Sequence, residues 1–144
     1  MKKIAKITLM IALTIWCSAC TMKGNSQKEK VFLLVKNNQE IILEDIKNNN
    51  YSRTQKIEGI ENINDREEDG YVEFLCGGKG LVPSSSYYGF YYSENNEPNR
   101  MYFFNEDENF IPEGKGYIYR ENDGDNVYYT EKIVDYIYYY EMHT

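Results

Sequence analysis

The chain has a single histidine, His143. Serine triads and histidine-based metal hydrolases each need an imidazole in the site, so both depend on that one residue. The chain also has no long apolar run. Its main apolar stretch, residues 7–16, is about half the roughly 20 residues needed to cross a bilayer as a helix, so no permanent transmembrane helix is expected. Positive charge is scarce too, with 16 Lys and Arg against 23 Asp and Glu. That balance disfavours nucleic acid as a partner.

What is present begins with a leader. Lys2, Lys3 and Lys6 precede the apolar stretch, and the small residues Ser18 and Ala19 follow it, directly before Cys20. This is the three-part layout of a secretory signal peptide. Ser18-Ala19-Cys20 resembles the lipobox of bacterial lipoproteins, departing from it at Cys17, where that family usually has leucine. The resemblance implies cleavage before Cys20, acylation of its sulfur with palmitate-type chains, and a membrane-anchored protein on the extracytoplasmic side. Two or more acyl chains hold a protein firmly at a membrane, whereas one does so only marginally. The alternative is an ordinary secretory signal cut nearby without lipid. The expected organisation is a signal peptide over 1–19, a lipidated cysteine and flexible spacer over 20–30, and one domain over 31–144.

The leader holds three of the basic residues and none of the acids, so the remainder carries 13 against 23, a net charge of −10. An acidic extracytoplasmic domain favours cationic partners, although acidity also serves simply to keep an exposed domain soluble. Once Cys17 leaves with the leader and Cys20 takes lipid, only Cys76 remains. One cysteine makes no internal disulfide, and one cysteine with one histidine makes no zinc site without several carboxylates. No cofactor and no metal are expected.

Residues 31–47 place Val31, Leu34, Val35, Ile42 and Ile46 near helical spacing, and Asn48-Asn49-Asn50 supplies a stop. A strand over 31–35 followed by a shorter helix is the alternative. From Ile57 onward the texture is short β-like runs. Runs at 60–66 and 71–76 flank Glu68-Asp69-Gly70, and runs at 117–121 and 127–132 flank Asn122-Asp123-Gly124-Asp125, two hairpin signals. Further strands are expected at 87–93, 101–105 and 136–142, with 77–80 and 83–86 as loop. The predicted fold is α+β: one N-terminal helix packed on an antiparallel meander of about six strands.

Tyrosine dominates. Fourteen of the 15 tyrosines lie from Tyr71 onward. Strand alternation puts Tyr87 and Tyr91 on one face and Tyr88, Phe90 and Tyr92 on the other, so both faces are aromatic. One set fills the core, and one helix is too little to cover both, so some rings should remain for a partner. Tyr88, Tyr92, Tyr138 and Tyr140 serve as illustrative anchors of that binding surface.

Catalytic motifs fail on inspection. Gly77-Gly78-Lys79-Gly80 lacks the Ser or Thr that a phosphate loop needs after its lysine. Residues 65–70 imitate the start of a calcium loop, but Cys76 stands where the closing carboxylate belongs. Cys76 and His143 are the only conceivable catalytic pair, in the chain order of papain-like thiol hydrolases. A strand end and a fraying terminus are poor places for a nucleophile and its base, so a buried structural thiol is the better reading. The expectation is therefore a lipid-anchored, non-enzymatic binding protein, an inhibitor or immunity-type module that captures a cationic protein. A glycan- or cell-wall-binding lipoprotein is the alternative, and a thiol-dependent wall hydrolase the remote one.

Overall fold

A computed structural model describes residues 26–81, 84–98, 110–121 and 124–144. The leader, Cys20 and the expected strand at 101–105 lie outside these residues. Helix α1, Gln27–Lys47, begins inside the stretch expected to be spacer. Its start is set by a capping box. The Ser26 hydroxyl accepts from the Glu29 N–H, and the Glu29 carboxylate accepts from the Ser26 N–H. Val31, Val35 and Ile42 form its buried stripe. Asn48 ends it, and Asn49 turns the chain through a positive φ of 48°. No helix among the described residues is long and apolar enough to cross a membrane.

Among the described residues seven antiparallel strands follow: β1 Asn62–Arg66, β2 Tyr71–Leu81, β3 Ser84–Ser93, β4 Ile111–Glu113, β5 Gly116–Arg120, β6 Val127–Val134 and β7 Ile137–His143. The fold is α+β, with one strand more than expected. Its order is β1-β2-β3-β7-β6-β5-β4, so two meanders are joined through β7, which runs in the middle of the sheet. The plain meander is thereby corrected: the chain after β3 goes to the far edge and works back. The glycine run after Cys76 is strand, not loop. β2 passes through a register shift between Leu75 and Gly77 and continues to Leu81. Residue 136 is turn, not strand: Asp135 and Tyr136 join β6 to β7, Tyr136 has a φ of 67°, and its N–H is held by the Asn96 side chain at 2.7 Å.

The helix-side core contains Val31, Val35, Ile42, Phe74, Phe90 and Tyr139. Phe74 and Phe90 stack with centroids 4.5 Å apart. On this side Lys28 pairs with Glu131 and lies 4.9 Å from the Tyr129 ring centroid, tying the start of α1 to β6. The opposite face holds a second core of Tyr71, Tyr91, Tyr119, Tyr128, Tyr138 and Tyr140, with Phe110 packed against it. The hydroxyls of Tyr91, Tyr138 and Tyr140 are bonded within the protein. Tyr91 and Thr130 share a hydrogen bond of 2.8 Å, and Tyr140 donates to the buried Glu73 at 2.7 Å. Tyr138 and Tyr140, two of the illustrative anchors, are buried in this second core.

Candidate functional site

The four anchor tyrosines do not form one surface. Tyr138 and Tyr140 are 3% and 0% exposed within the second core. Their position opposite Tyr91 and Gly89 puts them across the sheet from Tyr88 and Tyr92. Tyr88 and Tyr92 are half-buried on the helix side and line two different grooves. Among the described residues the most exposed tyrosines are Tyr87, Tyr117 and Tyr136.

Tyr92 belongs to a groove of about 250 Å³ at the C-terminal end of α1, lined also by Lys47, Tyr51, Asp65, Tyr71 and Glu94. A polar clasp positions it. The buried Asp45 carboxylate accepts from the Thr54 N–H and hydroxyl, each at 2.9 Å, and from Arg53 Nε at 2.7 Å. This folds residues 48–56 back under the helix end and presents Tyr51. The Tyr51 ring then meets Phe74 edge-on, and its hydroxyl donates to Asp65 at 2.9 Å. Across the groove Tyr92 stacks on Tyr136 at 6.0 Å. Partial burial pushes the Tyr92 phenol above its ordinary value, and Glu94 and Tyr136 push it further, so the ring stays neutral beside the carboxylate. Asp65, Glu68 and Asp69, with Arg66 among them, continue the charged surface around the β1–β2 turn. Neutral aromatic rings beside carboxylates are the chemistry that receives an ammonium or guanidinium group.

Cys76 is a buried free thiol. It is 8% exposed, and its sulfur lies 3.8 Å from the Phe74 carbonyl. Burial, with a smaller push from Glu61, raises it to about 12. At pH 8 only about one thiol in ten thousand would then be thiolate. Reaction with a disulfide reagent should accordingly be negligible in the folded protein and stoichiometric in urea, as measured by thionitrobenzoate release.

His143 does not hydrogen-bond Cys76. Its Nδ1 lies 2.7 Å from Ser86 Oγ, its Nε2 lies 3.1 Å from Glu141 Oε1, and Tyr139 donates to the other Glu141 oxygen at 3.1 Å. Nor does the last strand fray. Ser85 and Thr144 exchange backbone hydrogen bonds of 2.8 and 2.9 Å. This hydroxyl–imidazole–carboxylate chain is absent from the sequence reading, because cross-strand register alone joins residues 86 and 143. Among the described residues no group of three or more His, Cys, Asp or Glu is gathered to hold a metal ion. No protein-family model matches the chain, and no curated protein or solved structure matches it significantly.

Proposed function

We propose that the protein is a lipid-anchored extracytoplasmic binding protein, an inhibitor or immunity-type module that captures a cationic protein. The anchor is the acylated Cys20 implied by the lipobox. The observation that carries the capture reading is the groove in which Asp65 and Glu94 flank the rings of Tyr51 and Tyr92. A lysine or arginine of the partner enters it, paired with carboxylate and covered by aromatic surface. The remaining negative charge steers the encounter.

The test is capture from cell-surface and culture extracts by the immobilised protein, at low and high salt, beside purified cell wall. A basic protein that elutes with salt is expected. Its binding should fall about tenfold or more in the D65N/E94Q double variant, since truncating charge pairs at an interface costs a few kcal/mol. Equal binding by that variant would remove the groove from the reading.

The exposed rings of Tyr87, Tyr117 and Tyr136 favour a second reading, stacking on cell-wall glycan. It predicts retention on purified wall that survives high salt, with no protein partner. A thiol-dependent hydrolase would require Cys76, and a C76A variant that keeps every phenotype ends that idea.

A further inference from the structure

The binding reading leaves one chemically organised cluster unused, at the opposite end of β3 from Tyr92. Ser86, Glu141 and His143 lie on the helix side of the sheet, on neighbouring strands. Glu141 is held by the Tyr139 hydroxyl and lies within hydrogen-bond distance of His143 Nε2. A carboxylate there selects the tautomer with the proton on Nε2. The Nδ1 lone pair then points at the Ser86 hydroxyl, which donates to it across 2.7 Å. A hydroxyl, a base and a group that fixes the base are thus in mutual contact.

Two further features bear on chemistry. Lys79 on β2 is the register partner of Ser86, so it sits on the same face directly beside it. A lysine at that register position has the reach to bring its ammonium to negative charge that develops near Ser86 Oγ. Two residues along β3 on the same face, Tyr88 opens onto a groove of about 440 Å³ whose floor of Val31, Leu33, Leu34, Gly59 and Cys76 is bordered by Lys30, Asn38 and Glu58. An apolar chain fits there. An oxyanion at Lys79 with an apolar tail over Tyr88 describes a fatty or short-chain acyl ester.

We propose that Ser86 is an activated nucleophile that cleaves acyl esters, with His143 as its base and Glu141 and Tyr139 as positioning residues. Ser86 Oγ bonds to the ester carbonyl carbon while its proton passes to His143 Nδ1. The carbon–oxygen bond to the alcohol breaks, and the alcohol leaves with that proton. Water, deprotonated by His143, then releases the acid and restores Ser86. The activity is separate from the Tyr51–Tyr92 groove and stands or falls independently of it.

The test uses the full chain in detergent with a fluorophosphonate reporter and with 4-nitrophenyl acetate and butyrate. One phosphonyl adduct is expected, mapped to Ser86 by mass spectrometry. Hydrolysis should drop on the order of 100-fold in S86A and in H143A, the usual contribution of a positioned base. E141Q should keep the fold and lose part of the rate through the tautomer. Butyrate should outpace acetate. Ser86 and His143 lie toward the surface, so an unchanged near-ultraviolet circular dichroism spectrum in both variants checks folding. Equal labelling of wild type and S86A, or wild-type hydrolysis no faster than S86A, overturns the proposal. Faster turnover of acetate than of butyrate overturns the assignment of the groove to the acyl chain.

Discussion

Replacing Asp45 by alanine should destabilise the domain by about 3 kcal/mol, because it leaves buried donors without an acceptor. Asp45 is 2% exposed, and Thr54, which donates to it twice, is 0% exposed. Burial by itself raises the carboxyl, but the Thr54 N–H, the Arg53 guanidinium and the Thr54 hydroxyl outweigh it and hold it below its ordinary value. A carboxyl depressed in the folded state contributes stability that is present above its unfolded value, near pH 4, and lost as pH falls through its folded value. Urea titrations at pH 7 and pH 3 measure both effects. The D45A penalty should be full at pH 7 and smaller at pH 3. A penalty under about 1 kcal/mol at pH 7 would show that water replaces the clasp.

An alanine at Gly89 should be at least as damaging, for a steric reason. Gly89 lies in the middle of β3, between β2 and the inserted β7. A Cβ there would come 2.1 Å from the Phe74 carbonyl oxygen and 3.0 Å from the Tyr140 ring. Backbone does not yield as a side-chain tip does, so β2 and β3 must separate locally. Overpacking of this kind costs about 3 kcal/mol, which lowers Tm by on the order of 10 °C in a domain this size. Thermal unfolding measures the loss, and amide exchange locates it. Exchange should accelerate first along β2 and β3 and last along β5 and β6.

Much of the local structure was legible because it is written in short-range pattern. The stripe Val31, Val35 and Ile42 marks α1, and Glu68-Asp69-Gly70 marks the β1–β2 hairpin. The capping box at Ser26 and Glu29 was equally readable, yet it lay in a polar stretch that resembled a tether. Cys76-Gly77-Gly78 misled because glycine usually interrupts a strand; here the register shift absorbs the irregularity and pairing continues. The placement of β7 left no local trace. Nor did the second core, since alternation shows that Tyr138 and Tyr140 share a face without showing what covers it. The same blindness applied to the candidate sites. Tyr51 meets Tyr92 only through the fold-back after α1, and Ser86 meets His143 only through the pairing of β3 with β7.

The insertion of β7 between β3 and β6 also governs when the protein can exist. Strands β1 to β3 leave the ribosome early but have nothing on the inner edge of β3 until residues 137–143 follow. Strands β4 to β6 wait for the same segment. The two half-sheets, β1–β3 and β4–β6, are joined only where β7 pairs with both β3 and β6. Deleting residues 137–143 should therefore break the sheet in two rather than merely shorten it. The segment that completes the fold is also the one that delivers His143 to Ser86, so assembly and the second cluster appear together or not at all.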